Sequence, residues 1–333
     1  MAGKSNPTLV LTGTQVAALL DLDACIAAVE EAFRLLALGQ TMKPGVLGVH
    51  TAAGGFHIKA AGLTLKRPYF VAKTNANFPG NPARHGLPTI MGTLVLHDAD
   101  DGRPLAVMDS MTLTAIRTAA ATAVAAKHLA NAEAKTAALV GCGIQGAWQV
   151  RAVNRVRPLA KLFCLDADAG RARALADTMA RELGIAAEPA GSLREAAKQS
   201  HILITCTTAK KAFVGPKDVA KGAFVAAVGA DNPEKQEITP QLLAEAALIT
   251  DSTEQCAAIG DLHHAIAAGV LKPIHVRAEL GEVIAGLKPG RKSAEETVVF
   301  DSTGIAVEDA AAAAIVYERA VERGLGLKVD FGG

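Results

Sequence analysis

The chain has 333 residues, half of them hydrophobic and only 4% aromatic, so its cores must be built from small aliphatic side chains. This length is enough for two domains, each with its own core. The 34 lysines and arginines almost balance the 33 aspartates and glutamates, and the formal net charge is +1. That balance excludes the one-signed electrostatic field expected of a protein that binds nucleic acid or a membrane surface.

The N-terminal sequence MAGKSNPTLV has no apolar run of the kind found in signal peptides, and charged residues interrupt every long apolar stretch. We therefore expect neither a signal peptide nor a membrane span, and we predict a cytoplasmic protein. The five cysteines are spaced singly, without a C-x-x-C pair, as is typical of reduced cysteines that pack as small hydrophobic side chains. None of them is predicted to be catalytic.

The first third of the chain predicts two helices followed by a set of strands. Residues 14–39 carry apolar side chains at spacings of three and four, and Gly39 closes the second helix. Gly-Gly, Arg-Pro, Pro-Gly-Asn-Pro and Asp-Gly then separate short apolar segments. This pattern predicts an antiparallel meander with the strands VLGVHTA, FHIKAAGL, YFVAKTNANF, TIMGTLVLHD and PLAVMDS.

From Thr112 the pattern changes to a long Ala-rich helix and then to strands that alternate with helices. The strand candidates are almost continuously apolar, which predicts a parallel sheet covered on both faces. They are AALVG, KLFCLD, ILITC, FVAAVG, ALITD and TVVFDS. A last helix, EDAAAAAIVYERAVERG, closes the chain, and its sequence alone does not show which domain it packs on.

One stretch of this second half predicts a dinucleotide site. Gly141, Gly143 and Gly146 stand in a G-x-G-x-x-G frame between an apolar strand at 135–140 and a helix at 144–156. The first glycine permits a sharp turn, the second lets the backbone approach a pyrophosphate, and the third allows close helix–strand packing. The phosphates would bind the free N–H groups at the N-terminus of that helix. The alternative is an ordinary Gly-rich turn.

Asp166 ends the next strand, 25 residues beyond Gly141, where this fingerprint places an acid that binds the ribose hydroxyls. A carboxylate there favours NAD(H) over NADP(H), because a 2′-phosphate would meet it as a like charge. Arg171 lies close enough in sequence to weaken that preference.

Three charged residues are candidates for chemistry. Asp231 follows the strand FVAAVG and could exchange a proton with a substrate nitrogen, or it could simply form a turn before Asn-Pro. Lys73 lies in a β-rich segment and could point to solvent. Arg117 begins an uncharged helical stretch and could bind a carboxylate or cap a carbonyl. No spacing of metal ligands occurs, and the adjacent His263 and His264 are expected on different helix faces, so we predict no metal site.

Taken together, the chain resembles the ornithine cyclodeaminase/mu-crystallin family over almost its whole length. The most specific stretches are RTAAATAVAAKHLA with ALVGCGIQG, then VGADNPEKQEI, and finally FDSTGIAVEDAAAA. The resemblance implies an α/β protein in which a Rossmann doubly wound parallel sheet, residues 117–304, is inserted into an α+β domain. Residues 1–116 and 305–333 would form that second domain, which binds substrate and makes a homodimer.

The resemblance also implies roles for individual residues. Lys73 and Arg117 would hold the substrate carboxylate, Asp231 would be the catalytic acid/base with Lys73 beside it in the catalytic set, and Thr303 and Gly304 would lie near the substrate. The cofactor would be lined by Arg117, Thr118, Gly141, Gly143, Ile144, Gln145, Gly146, Asp166, Lys235 and Ser302.

The chain departs from the family pattern in two places. Relatives carry an arginine in a P-x-R stretch after the second helix, where this chain reads K-P-G-V-L, so one carboxylate ligand is missing. Relatives also have Met-Pro where this chain has Lys59-Ala60. Lys59 could supply the lost positive charge in the substrate pocket, with His57 beside it, or the pocket takes a different substrate.

The implied chemistry is hydride transfer at a carbon–nitrogen bond of a small imino or amino acid. We predict an NAD(P)-dependent oxidoreductase of the cyclic ketimine reductase or amino-acid dehydrogenase type, with NAD(H) favoured over NADP(H). One alternative is an ornithine cyclodeaminase that keeps NAD bound and shows no net redox change. The other is a crystallin-like protein that binds nucleotide and ligand without turnover, against which Lys73, Arg117 and Asp231 argue.

Overall fold

A computed structural model describes residues 7–331 of the chain. The strands are β1 (Thr8–Leu11), β2 (Thr41–His50), β3 (Gly55–Thr64), β4 (Pro68–Asn77), β5 (Ile90–Asp98), β6 (Pro104–Asp109), β7 (Thr136–Val140), β8 (Lys161–Leu165), β9 (Ala186–Pro189), β10 (Ile202–Thr205), β11 (Phe224–Ala227), β12 (Ala247–Thr250), β13 (Ala278–Glu279), β14 (Val298–Asp301) and β15 (Leu327–Val329).

The α-helices are α1 (Gly13–Leu19), α2 (Leu22–Ala37), α3 (Asn81–His85), α4 (Ser110–Leu129), α5 (Ile144–Val156), α6 (Ala169–Leu183), α7 (Leu193–Lys198), α8 (Pro240–Glu245), α9 (Thr253–Ile259), α10 (Asp261–Ala267), α11 (Leu280–Ile284) and α12 (Ala306–Arg323). The chain divides into two compact units. Unit 1 joins the residues up to Arg117 with those from Ile305 onward, and unit 2 is Thr118–Gly304.

Unit 1 contains a seven-stranded sheet with the order β15-β1-β6-β5-β4-β3-β2. The strands β2 to β6 pair antiparallel in chain order, which confirms the predicted meander. The sequence analysis did not predict β1, which pairs parallel to β6, or β15, which pairs antiparallel to β1. Both are too short, at four and three residues, to show an alternating pattern.

The last helix, α12, belongs to unit 1, where it packs on α2 and on β3 and β4. Its run of buried alanines has almost no side-chain volume, so the helix lies close against its neighbours. The N-cap Asp21 accepts a hydrogen bond from the backbone N–H of Ala24 and fixes the start of α2. These contacts close the helical layer over one face of the sheet.

Unit 2 contains an eight-stranded sheet in the order β13-β12-β14-β11-β10-β7-β8-β9, with every described pair parallel. The residues of β10, β11, β12 and β14 are all buried, as the unbroken apolar segments predict. The short strands β9 and β13 at the two edges were not predicted. The fold-class prediction, a doubly wound parallel sheet inserted into a mixed α/β unit, is confirmed.

The order of strands in this sheet reverses between β7 and β10, because β8 follows β7 on one side and β10 lies on the other. In open parallel sheets, ligands bind beyond the carboxyl ends of the strands at such a point. Within residues 7–331, no helix combines the length and the apolar character needed to cross a membrane.

Candidate active site

The glycine turn follows the carboxyl end of β7 and leads directly into α5, whose bounds agree with the predicted helix. Gly141 has a φ of +102°, and a Cβ atom there would lie 2.7 Å from the carbonyl oxygen of Cys206. A Cβ atom on Gly146 would lie 2.1 Å from the carbonyl oxygen of Gly141, so only glycine permits this approach of helix to turn.

Gly143 is the N-cap of α5, and no side chain caps this end of the helix. A Cβ atom on Gly143 would meet nothing within 4 Å, so the backbone faces open space. Free N–H groups and the helix dipole at such a point favour a bound anion. The turn therefore fits the pyrophosphate of a dinucleotide.

Asp166 follows β8 and ties the end of that strand to the glycine turn. Its Oδ2 accepts a hydrogen bond from the backbone N–H of Cys142 at 2.7 Å, and its Oδ1 accepts one from Asp168 at 2.9 Å. Arg171 forms an exposed ion pair with Asp168 at 3.7 Å. The carboxylate is therefore held beside the glycine turn, and its contact with a ribose stays a prediction.

Asp231 lies four residues beyond the end of β11, and its side chain is 51% exposed. The ammonium group of Lys235 lies 2.7 Å from its Oδ1, so two predicted site residues form an ion pair with each other. Thr118 lies half-buried in α4, while Ile144 and Gln145 form the first turn of α5, where Ile144 is exposed.

A buried carboxylate that the sequence analysis missed fixes the start of the Asp231 loop. Glu237 accepts hydrogen bonds from the backbone N–H groups of Thr207, at 2.6 Å, and Gly229, at 2.8 Å. It thereby links the loops that follow β10 and β11. Burial raises the pKa of Glu237, against the hydrogen bonds that stabilise its charged form.

Ser302, Thr303 and Gly304 form a buried turn after β14. Asp251, at the end of β12, accepts hydrogen bonds from the backbone N–H groups of Thr303, at 2.7 Å, and Gly304, at 2.6 Å. Gln255 donates to the Thr303 hydroxyl at 2.8 Å and to the Gly304 carbonyl at 2.9 Å. The sequence analysis assigned the turn and missed these two residues, although the acid at the end of ALIT was a signal for them.

In unit 1, Lys73 and Arg117 lie together in a buried ionic cluster, with side chains 3% and 4% exposed. Asp309 bridges them, because its Oδ2 lies 2.7 Å from Lys73 Nζ and its Oδ1 lies 2.8 Å from Arg117 Nε. Glu308 lies 2.9 Å from Arg117 Nη1. Neither residue points to solvent, so the solvent-facing alternative for Lys73 is excluded.

The sequence analysis also missed Glu308 and Asp309. Two adjacent acids in the otherwise small and apolar first turns of α12 were the available signal, and both are fully buried. Buried carboxylates of this kind require cationic partners.

Both cations keep donors that no described residue uses. Arg117 donates a hydrogen bond to Glu308 through Nη1 and forms an ion pair with Asp309 through Nε, which leaves the N–H groups of Nη2. Lys73 pairs with Asp309 and donates weakly to the Thr114 hydroxyl at 3.4 Å, which leaves one N–H. A guanidinium edge beside an ammonium group is an arrangement suited to a carboxylate. We refer to Lys73 and Arg117 as the cation pair.

Lys59 lies directly opposite Lys73 in the antiparallel register of β3 and β4. Residues opposite each other have side chains on the same face, about 5 Å apart at Cβ. His57 lies opposite Asn75, one step along the same face. The structure therefore places Lys59 where the sequence analysis needed a third cation, and its role there stays a prediction.

The surroundings of the cluster shift the pKa values of its members. Burial and the neighbouring Arg117 lower the pKa of Lys73 to about 7, although Asp309 acts in the opposite direction. Burial acts to lower the pKa of Arg117, and the carboxylates of Asp309 and Glu308 outweigh it and raise that pKa. Arg117 and Lys73 likewise outweigh burial at Asp309 and lower its pKa.

The adjacent histidines and the buried cysteines have structural contacts. His263 and His264 contact different carbonyl oxygens, those of Ala257 and Lys235. In the part of the chain that the structure describes, no group of three or more His, Cys, Asp or Glu side chains could hold a metal ion. Burial raises the pKa of the Cys206 and Cys256 thiols well above the ordinary value, which disfavours the nucleophilic thiolate.

A model of the ornithine cyclodeaminase/mu-crystallin family matches residues 6–324. An alanine dehydrogenase of Archaeoglobus fulgidus is 38% identical over 326 residues, which cover 97% of this chain and 98% of that protein.

Two solved structures are similar throughout. An archaeal alanine dehydrogenase dimer with bound NAD has a TM-score of 0.93 at 37% identity, over 97% of this chain and 99% of that one. A Δ1-pyrroline-2-carboxylate reductase of Thermococcus litoralis, in complex with NADH and L-proline, has a TM-score of 0.91 at 32% identity, over 97% and 100%.

Proposed function

The chain belongs to the ornithine cyclodeaminase/mu-crystallin family and is an NAD-dependent enzyme of the imine reductase and dehydrogenase kind, and from this premise we propose that its substrate is a small imino acid. The products would be the corresponding α-amino acids, as in a ketimine reductase or an amino-acid dehydrogenase. The observation that supports this proposal most directly is the buried cation pair with donors left for an anion.

In the proposed reaction, the cation pair binds the α-carboxylate of the substrate. Arg117 offers the N–H groups of Nη2, and Lys73 offers its remaining N–H beside them. A carboxylate held by two cations cannot rotate freely, so Cα and the imino nitrogen take one orientation. The nicotinamide, when bound, supplies or accepts the hydride.

Asp231 would exchange the proton on the substrate nitrogen. Its carboxylate is exposed and lies in a loop whose start is fixed by Glu237. The ion pair with Lys235 holds the carboxylate in one rotamer without burying it, so the second oxygen remains accessible. A positioned carboxylate of this kind is suited to general acid–base catalysis at an amine or iminium.

We propose NAD(H) as the preferred cofactor on the basis of Asp166, whose carboxylate is anchored at the end of β8 beside the glycine turn. Arg171 pairs with Asp168 rather than with Asp166. A cofactor with a 2′-phosphate would therefore meet a carboxylate there.

The test is NADH or NADPH oxidation, followed at 340 nm, with Δ1-pyrroline-2-carboxylate and with pyruvate plus ammonia. We expect turnover with at least one substrate and a higher kcat/KM for NADH. Ammonia release from ornithine without absorbance change would instead establish the cyclodeaminase. Nucleotide binding with no turnover of any compound would establish the crystallin-like alternative.

Asp231→Asn should lower kcat by about 100-fold or more, the usual loss on removal of a general acid or base. Binding of NADH, measured by its fluorescence, should stay unchanged. Glu234→Gln, which removes an exposed acid of the same loop that pairs with Lys210, is the matched control. Undiminished turnover in Asp231→Asn would remove this residue from the proposed mechanism.

We also propose a homodimer. The sheet of unit 1 has β2 at one edge, and its exposed apolar side chains include Leu47 and Val49. An apolar strand at a sheet edge is a common site of association. The similar archaeal alanine dehydrogenase is a dimer, which supports the same state for this chain.

A further inference from the structure

Glu237 uses both oxygens of its buried carboxylate to hold backbone N–H groups. Its Oε1 accepts a hydrogen bond from the N–H of Thr207 at 2.6 Å, and its Oε2 accepts one from the N–H of Gly229 at 2.8 Å. The Thr205 hydroxyl also donates to Oε2, at 2.7 Å. Because a backbone N–H group can only donate, both oxygens must accept, and an ionised carboxylate provides these two acceptors.

This carboxylate closes the loop that carries Asp231. The loop runs from Gly229 to Glu237, so the hydrogen bond between these two residues joins its ends. A Cβ atom on Gly229 would lie 2.4 Å from Oε1, so the backbone there lies directly against the carboxylate. Asp231 follows two residues later, and its backbone N–H donates to the Gly229 carbonyl at 3.2 Å. The position of Asp231 therefore depends on a backbone group that Glu237 holds.

The backbone of Glu237 is itself held on both sides. Its N–H donates to Oδ1 of the buried Asp261 at 2.8 Å, and its carbonyl accepts from the N–H of Phe213 at 2.9 Å. Within the loop, the carbonyl of Lys235 contacts His264 Nε2 at 2.9 Å. Because these contacts fix the Glu237 backbone, its side chain is a fixed attachment point for the loop.

The same carboxylate holds the segment that packs against the glycine turn. Thr207, which donates to Oε1, follows Cys206 in the chain, and a Cβ atom on Gly141 would lie 2.7 Å from the Cys206 carbonyl oxygen. The Cys206 thiol donates to the Gly141 carbonyl oxygen at 3.3 Å. One oxygen of Glu237 therefore holds the Asp231 loop, and the other holds the segment beside the glycine turn.

We propose that Glu237 is a positioning residue for proton transfer by Asp231. It fixes the Asp231 loop relative to the glycine turn, and thus relative to a nicotinamide cofactor bound there. This role rests on the proposed function, in which Asp231 exchanges the proton on the substrate nitrogen. Glu237 is fully buried, so it acts through the loop and not by contact with the substrate. A displacement of about 1 Å in a reacting group can cost about 100-fold in rate.

Glu237→Gln tests this role, because an amide has one acceptor oxygen and an NH2 group that only donates. The NH2 group must face either the Thr207 N–H or the Gly229 N–H, so one of the two segments is released. We expect kcat to fall by about 10-fold to 100-fold. The affinity for NADH, measured by its fluorescence, should stay unchanged, because Asp166 still holds the glycine turn.

A double-mutant cycle separates positioning from a purely structural role. NADH oxidation gives kcat for the unchanged protein, Glu237→Gln, Asp231→Asn and the double variant, with Δ1-pyrroline-2-carboxylate or pyruvate plus ammonia, whichever turns over. If Glu237 acts through Asp231, the double variant should match Asp231→Asn within about twofold. Met179→Ala leaves a cavity beneath α6, which packs on β8 and β9, and should lower stability while keeping kcat.

Thr205→Val is the milder variant, which serves if Glu237→Gln does not fold. It removes only the hydroxyl bond to Oε2 and keeps both backbone N–H bonds, so kcat should fall several-fold in the unchanged background and stay the same in Asp231→Asn. Equal fold-losses of kcat in both backgrounds would overturn the proposal and leave the proposed function intact. So would an unchanged kcat in the variant alone. Undiminished turnover in Asp231→Asn would instead contradict the proposed mechanism, and the role of Glu237 with it.

Discussion

Asp261 and Asp301 are two buried carboxyl groups that lie together beneath the carboxyl edge of the parallel sheet. Asp301 accepts hydrogen bonds from the backbone N–H groups of Leu262 and Asp261, at 2.9 and 3.3 Å. Asp261 Oδ1 accepts from Glu237 and Ile238, and no described residue bonds its Oδ2. Burial raises the pKa of Asp301 to about 7 and that of Asp261 well above its ordinary range.

A carboxyl group whose pKa is higher in the folded state must take up a proton when the chain folds above pH 4. The free energy of unfolding therefore falls as pH rises from about 4, the pKa of an unfolded aspartate, through about 7. Asp261→Asn removes one of the two carboxyl groups that ionise in this range. The free energy of unfolding of the variant should therefore fall less between pH 5 and pH 8 than that of the unchanged protein. The difference between the two proteins should grow from pH 5 to pH 8.

Urea unfolding of both proteins at pH 5 and pH 8 measures this difference. Asp177→Asn, which changes an exposed aspartate on α6, is the control and should follow the unchanged protein. If Asp261→Asn lost as much stability as the unchanged protein over this range, Asp261 would be charged in the folded state.

The charged residues of the site could be predicted as candidates from sequence, but their partners, which lie far away in sequence, could not. Lys73, Arg117 and Asp231 were candidates from their residue types and positions, and their roles were assigned from the family resemblance. Arg117 pairs with Glu308, 191 residues away, and also with the adjacent Asp309, and no local pattern connects them. Motifs therefore predicted which side chains are candidates, and only the fold shows that a buried carboxylate joins two of them.

At the scale of elements, the sequence predicted the bounds of the glycine turn and of α5, which follows it directly. A strand, a turn with a positive φ and an uncapped helix N-terminus occur within 21 residues. The strands that sequence missed, β1, β9, β13 and β15, have two to four residues each. Strands this short form because they pair with the edge of a longer neighbouring strand. The local sequence does not show which strand that neighbour will be.

Gly143 provides a test of the turn that does not disturb its folding. Its φ of −80° is open to any residue, and a side chain there would enter free space. We expect Gly143→Val to lower the melting temperature by no more than about 4 °C, since valine is less favourable than glycine at an N-cap but meets no steric clash here. The added side chain should block the approach of a phosphate and weaken NADH binding about tenfold or more.

Fluorescence titration with NADH and a thermal melt give both quantities. Gly191→Val is the matched control, because a Cβ atom there also meets nothing within 4 Å. Equal NADH affinity in Gly143→Val and the unchanged protein would place the pyrophosphate elsewhere.

At the scale of the whole chain, unit 1 is built from its two ends. Its cation pair comes from residues before 118, and the carboxylates that neutralise it come from α12, after the complete parallel sheet has been synthesised. The buried charges of unit 1 are therefore unpaired until the last helix docks. Such long-range contacts are slow to form, and they make docking of α12 a late step in folding.

The edge strand β2 exposes apolar side chains on one face. Leu47 and Val49 are 56% and 46% exposed, and their partners across the register, Ile58 and Phe56, lie on the same face. This face is opposite to the one that carries Lys59, so a change there leaves the cation pair intact. The double variant Leu47→Glu, Val49→Glu should convert the proposed dimer to a monomer, because it places charges in an apolar contact.

Light scattering coupled to gel filtration gives the mass of each protein. Ile274→Glu, which introduces the same charge at an exposed apolar residue of unit 2, should remain a dimer. A monomeric unchanged protein at micromolar concentration would contradict the homodimer. A dimeric double variant would place the contact on another surface, because two buried glutamates without partners would cost several kcal/mol in each copy. In a symmetric contact the same edge is buried in both copies, so the free-energy cost is incurred twice per dimer. We therefore expect the double variant to have the mass of a monomer only.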